Sequence, residues 1–245
     1  RPMENYRFID RFFHSQYELL DLTETEGRDS NTLYTFLNNL HTTADRLKEE
    51  FDCDIKGYPE FKILRLIRNY FHHVGDVEEI RLKVYVERNV IISHAEHLII
   101  PLETFAKSVK SFIDKNSLPK SNRNYAKKKA FVDKEMAAIS ELFDYTADLL
   151  ANLEVFCNKP SLKLDGVVYE LGFDMYKFVY NVTNIVADKC REIEQLNEKK
   201  VIAELDWSYT ADNNIGKHDV FCHPNRVPIT TTQGFVYPET IESAI

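Results

Sequence analysis

Glycine is scarce in this chain: seven in 245 residues, at positions 27, 57, 75, 166, 172, 216 and 234. No two have the spacing of a dinucleotide-binding fingerprint or a P-loop, both of which need glycines to bare backbone N–H groups to phosphate. Nucleotide folds of those kinds are therefore not expected. Cysteine is scarcer still, and Cys53, Cys157, Cys190 and Cys222 lie too far apart for a zinc knuckle or a CxxC pair, so free, reduced thiols are the expectation. No apolar run approaches the ~20 residues that a membrane-spanning helix needs, and the first residues lack the charged and apolar blocks of a signal peptide. Together these absences predict a cytoplasmic protein without a membrane partner, a resident metal or a cofactor.

What is present is an ordinary globular composition, 44% hydrophobic and 29% charged, too apolar for a disordered chain. The length suits one large domain, or one domain plus an appendage, and needs no disulfide or metal for stability. A formal charge of −8 argues against indiscriminate coating of nucleic acid. Charge is unevenly spread, however. Between Lys115 and Lys134, six lysines and Arg123 face one acid, Asp133, a local +6 that leaves −14 for the rest. One face is thereby suited to a polyanion.

Hydrophobic spacing predicts a mainly α-helical fold. A first helix spans about 4–22 on Phe8, Phe12, Phe13, Tyr17 and Leu20; Ser30 or Asn31 caps a second, striped by Leu33, Phe36, Leu37, Leu40, Ala44 and Leu47. Gly57 breaks the chain, Pro59 suits the first turn of a third helix, and Gly75 is placed to end it. From Ile80 to Pro101 alternation allows a small antiparallel sheet, with a helix over 78–100 as the alternative. Further on, one long helix is expected from Ser121 through Phe156, a short hairpin at Asp165-Gly166, and another long helix from Asp174 to Leu205. The expected organisation is a helical domain over 1–205 and an extended, irregular tail over 206–245, laid across the body or partly mobile.

The third helix ends Leu64-Arg65-Leu66-Ile67-Arg68-Asn69-Tyr70-Phe71-His72-His73. Pairs of Arg and His at four to six intervening residues occur four times in the chain, from Arg7 to His14, Arg65 to His72, Arg68 to His73 and Arg88 to His94. The third is set apart by its exact spacing, together with the Asn directly after the Arg and its place on an aromatic and aliphatic helix; Arg88-Asn89 begins the same way, but its His94 falls one residue late. Asn69 and His73, four apart, share a helix face, so the amide is placed to orient the imidazole, while Arg68 projects from an adjacent face. This segment resembles the Arg-Asn-x-x-x-His signature of the HEPN-domain ribonucleases, a family of small helical proteins.

The resemblance rests on residues 60–75 by motif and more loosely on 1–205 by helical character. It implies a HEPN-like helical bundle and a metal-independent endoribonuclease, in which the ribose 2′-OH attacks its own 3′-phosphodiester. His73 would move the protons and Arg68 would stabilise charge on the phosphorane, with Asn69 beside them. His72 and Arg65, two turns apart, are accessory candidates, and which of His72 and His73 faces the substrate stays open. The resemblance further implies RNA as substrate, a homodimer, and a toxin or antiviral defence role under an antitoxin or regulatory protein. Arg123, Tyr125, Lys127, Lys128 and Lys129 are the candidate RNA contacts, the cations for phosphate and the ring for stacking.

Two plainer readings stand beside these. Arg68, Asn69 and His73 also suit a helix end, with a solvated Arg and a His neutralising the last carbonyls. The whole chain also suits a non-catalytic helical interaction or regulatory protein that binds a protein partner or a nucleotide. His94 and His97 are expected at the surface rather than on a metal, and Cys222-His223 has no evident partner.

Overall fold

The computed structural model describes residues 5–20, 30–74, 83–87, 95–217 and 229–238. It is mainly helical, as the spacing predicts. Helices α1 (Arg7–Leu20), α2 (Ser30–Phe51) and α3 (Pro59–Val74) match the three expected at the start. Tyr6 meets Phe51, and Phe12 meets Phe36, so α1 runs back along α2; His41 stacks on Phe61, and Asn38 meets Arg68, so α3 reverses again. Phe8, Phe12, Leu33, Phe36, Leu40, Phe61, Leu64 and Ile67 are buried between them, and their removal from water is the main stabilising term.

Gly57 is not what stops α2. Asp52 takes the left-handed conformation at φ 51°, its N–H bonds to Lys48 O at 3.1 Å, and the Cys53 N–H bonds to Leu47 O at 3.0 Å. The Asp52 bond is that of an αL cap, with Asp in the place usually held by glycine.

Strands β1 (Lys83–Glu87), β2 (Ala95–Pro101) and β5 (Gly172–Asp174) form an antiparallel sheet in the order β1-β2-β5, so the described residues of the segment before Pro101, 83–87 and 95–101, are sheet. Helix α4 (Leu102–Lys115) follows directly and packs Phe105 on Phe173, rings parallel with centroids 4.0 Å apart. The expected hairpin is present as β3 (Ser161–Leu164) and β4 (Val167–Glu170), turned by Asp165 and Gly166 at φ 49° and 80°. Two positive φ values in succession fit a type I′ turn, for which Asp-Gly is suited.

Both long helices expected later are broken. The segment from Ser121 to Phe156 forms α5 (Tyr125–Ser140), α6 (Thr146–Ala151) and α7 (Leu153–Phe156). Ser140 Oγ and Thr146 Oγ1 bond back to the carbonyls of Ala137 and Phe143, and Phe143 joins Phe105, Phe173 and Phe178. A straight helix cannot deliver Phe143 to that cluster. The segment after Asp174 likewise divides into α8 (Tyr176–Glu192), α9 (Glu194–Asn197) and α10 (Lys200–Ala203), with Ile193 and Lys199 extended at ψ 115° and 136°. The bends return Lys199 to α1, where its ammonium meets Asp10 at 2.8 Å and Asn5 O at 2.6 Å.

Residues after 205 lie across the body where they are described. The buried amide of Asn181 on α8 bonds both ways to the Ile215 backbone, at 3.0 and 2.8 Å, and also reaches Glu60 on α3 at 3.2 Å. Arg191 gathers the carbonyls of Asp206 and Tyr209 and lies 5.6 Å from the ring centre of Trp207, which is 86% exposed. Strands β6 (Ile229–Thr231) and β7 (Gly234–Val236) form a hairpin bridged to Leu171 through Thr231. Gly172 is required beneath it: a Cβ there would lie 2.6 Å from Ile99 Cγ2 and 2.9 Å from the Thr231 backbone. Gly172→Ala is expected to cost about 1–3 kcal/mol by overpacking and to loosen the hairpin. Urea unfolding, with limited proteolysis of residues 229–238, checks both effects.

His97 departs from expectation. Instead of facing solvent it is buried, its Nδ1 2.7 Å from Asp174 Oδ2 and its ring edge-on to Phe235 at 4.1 Å. On β2 the alternation puts it with Ile99 on the face opposite Leu98 and Ile100, which join the core, and it is buried because the β6–β7 hairpin covers that face with Phe235. His94 and Cys222-His223 lie outside the described residues. Among the described residues no group of three potential metal ligands assembles and no helix is long and apolar enough to cross a membrane. Cys53, Cys157 and Cys190 are free thiols; burial pushes Cys190 up to about 12.

Candidate functional site

The residues of the Arg-Asn-x-x-x-His segment occupy the last turns of α3, a helix whose Phe61, Leu64 and Ile67 are buried and whose end is partly open. Arg68 and Asn69 are half-buried, and His72 and His73 are exposed. Arg68 is held on two sides. Its Nε donates to Asn38 Oδ1 on α2 at 3.3 Å, and its Nη1 donates to Asn69 Oδ1 at 3.2 Å. Two of the five N–H groups are so used, and Nη2 is unengaged among the described residues.

Asn69 therefore serves the guanidinium rather than the His73 ring. His73 packs edge-to-face with His72, centroids 5.2 Å apart. Its pKa is held below the ordinary value chiefly by the Lys115 ammonium at the end of α4, then by partial desolvation, His72 and Arg68. His73 is thus predominantly the neutral imidazole at neutral pH, a form able to accept a proton.

Arg65 has a structural tie. Its Nη2 meets Glu135 Oε2 of α5 at 2.9 Å, and Lys62 Nζ meets Oε1 of the same carboxylate at 3.3 Å. The Lys62 and Glu135 side chains are only 8% and 6% exposed. This triad clamps α5 to α3.

The clamp sets where the basic segment lies. Arg123 precedes α5; Lys127, Lys128 and Lys129 are exposed along its first turns, and Tyr125 is half-buried. Lys128 Nζ bonds Asn116 Oδ1 at 3.2 Å, immediately after Lys115, the cation acting most strongly on His73. The α4 end thus links the basic segment to the motif, two features about fifty residues apart in sequence. Lys129 is tied to Asp133 at 2.7 Å, whereas Arg123 and Lys127 have no ion pair among the described residues.

Two contributors to this face carry no sequence signal of their own, Asn38 and His41. Asn38 and His41 sit one turn apart on α2, a spacing that shares a face, but nothing along α2 shows that the face meets Arg68. The arrangement provides a fixed, partly unsatisfied guanidinium, the neutral imidazole of His73 and a flank of ammonium groups, which is the equipment for binding a phosphodiester and moving protons around it. Comparison of the chain with family models, with curated proteins and with solved structures gave no match.

Proposed function

We propose that the protein is a metal-independent endoribonuclease that cleaves by attack of a ribose 2′-OH on the adjacent phosphodiester. The observation that carries the reading is the fixing of Arg68 by Asn38 and Asn69 on the same helix end as His73. Preorganised donors cost no reorganisation as charge gathers on a phosphorane, so orientation beforehand is what a stabilising Arg needs. The link from Lys115 and Asn116 to Lys128 supports it, since it extends a cationic path from the motif along α5 for an RNA backbone.

DNA lacks the attacking hydroxyl and is spared. The reading includes action as a homodimer, in a toxin or antiviral defence setting under an antitoxin or regulatory protein. Purified protein incubated with RNA in EDTA tests it: products ending in 2′,3′-cyclic phosphate and 5′-hydroxyl groups are expected. Intact RNA across a range of substrates and protein concentrations would overturn the reading.

A further inference from the structure

A groove runs along α1 where the bends at Ile193 and Lys199 return the chain to that helix. Two cavities make it up, and Asp10 lines both. The first, of about 530 Å³, is bounded by Arg7 and Arg11, one turn apart on α1, and by Lys199 and Lys200 where α10 begins. Four cations stand there against one acid, in a chain whose net charge is −8. Lys199 is committed, its ammonium bonded to Asp10 at 2.8 Å and to Asn5 O at 2.6 Å with only 13% of the side chain exposed. Lys200 reaches Glu204 at 3.8 Å. Arg7 and Arg11 are exposed, and neither guanidinium has an ion pair or hydrogen bond among the described residues.

The second cavity, of about 500 Å³, presents a different surface. Phe13, Val201 and Leu205 give it an apolar lining, with Tyr17 and Tyr209 beside them. Tyr17 is 67% exposed, on a helix whose Phe8, Phe12 and Phe13 are all buried. His14, which also lines this cavity, pairs with Glu18 at 3.1 Å. Uncompensated positive charge is thus confined to one end of the groove and apolar surface to the other.

This distribution selects the occupant. A nucleic-acid strand repeats its phosphates evenly, and would have to carry them past the Asp10 carboxylate and over an aliphatic lining. A peptide segment can gather its carboxylates at one end and its apolar side chains at the other, and Asp10 can accept from its backbone N–H. We propose that the groove along α1 is a docking site for an extended acidic segment of a partner protein. Its carboxylates meet the guanidinium forks of Arg7 and Arg11, and a Leu, Ile or Phe side chain seats among Tyr17, Val201 and Leu205. Arg and Tyr are also the residues that most often anchor protein interfaces. Neither Arg68 nor His73 lines the groove, and docking there does not depend on the ribonuclease reading.

Selection of a random-peptide phage library on the full chain tests this, followed by fluorescence anisotropy titration of the enriched peptides. Those peptides are expected to carry Asp or Glu on one side of a Leu, Ile or Phe, and to bind more weakly at high salt, which screens exposed pairs. Arg7→Glu combined with Arg11→Glu should raise Kd at least about tenfold by turning two attractions into repulsions, and should favour the same peptide with its acids exchanged for Lys. Tyr17→Ser should raise Kd by about fivefold through lost apolar contact and leave the salt dependence unchanged. All three side chains are exposed, so the variants are expected to fold, which circular dichroism melts verify. Failure to enrich acidic peptides, or equal affinity for the parent and the doubly substituted protein, overturns the proposal. An oligouridylate that binds the parent and not the double variant also overturns it, by assigning the groove to nucleic acid. So does a parent dimer that the double variant dissociates in sedimentation, which would assign the groove to a second copy of this chain.

Discussion

Glu135→Ala lowers the unfolding free energy by about 3–5 kcal/mol, the range for stripping the partner from a buried ion pair. One carboxylate answers two cations, Lys62 Nζ at 3.3 Å and Arg65 Nη2 at 2.9 Å. Arg65, with a quarter of its side chain exposed, recovers hydration, but Lys62 at 8% cannot. The penalty falls on the stranded ammonium. Replacing Lys62 and Glu135 together by Met should recover most of the loss, since apolar residues of similar size often substitute for buried pairs without cost. Urea unfolding followed by circular dichroism measures both variants. A single-variant loss under about 1 kcal/mol would show that the triad is hydrated in solution and that α5 is held by its apolar residues, Met136 and Ile139, alone.

Arg68→Ala reduces RNA cleavage by about 10²–10³, the effect of removing one preorganised donor set, while the melting temperature stays nearly unchanged because the residue is only half-buried. His73→Ala costs a comparable or larger factor, up to about 10⁴ for a proton-transfer group. Arg68→Lys is informative because it keeps the charge. An ammonium is a point charge without the planar fork, so it cannot reach Asn38 and Asn69 with the same geometry and still face a phosphate. Its activity should resemble that of Arg68→Ala rather than that of the parent protein. Initial rates on a labelled oligoribonucleotide in EDTA decide the matter, and parent-like rates for Arg68→Ala would remove this residue from the mechanism.

The first three helices were legible because each buries one stripe against its neighbours, so Phe8 to Leu20, Leu33 to Leu47 and Phe61 to Phe71 repeat at the period of the element itself. Local rules also gave the Asp165-Gly166 turn, where two residues set the geometry. Periodicity misled where distant groups compete with it. Phe143 continues the apolar spacing of α5, yet it is claimed by Phe105, Phe173 and Phe178 from three other elements, and the helix gives way. Lys199 likewise leaves a helical register to reach Asp10 and Asn5 O, nearly two hundred residues earlier.

The candidate site divides in the same way. Arg68, Asn69 and His73 could be picked out because they are neighbours on one helix. Asn38 and His41 could not, because what joins them to Arg68 and Phe61 is the packing of α2 on α3. His97 shows the reverse error: a polar residue read as superficial is buried because a strand and a distant carboxylate, Asp174, enclose it.

Trp207 gives the protein an unusual optical property. It is the sequence's single tryptophan, it stands 86% exposed, and its indole lies beside the Arg191 guanidinium rather than in the core. Its native emission is therefore already close to the red-shifted maximum of a hydrated indole, and melting of the helical body adds little further shift. What the fluorophore registers is detachment of the segment around residues 206–209 from α8, an event separate from collapse of the body.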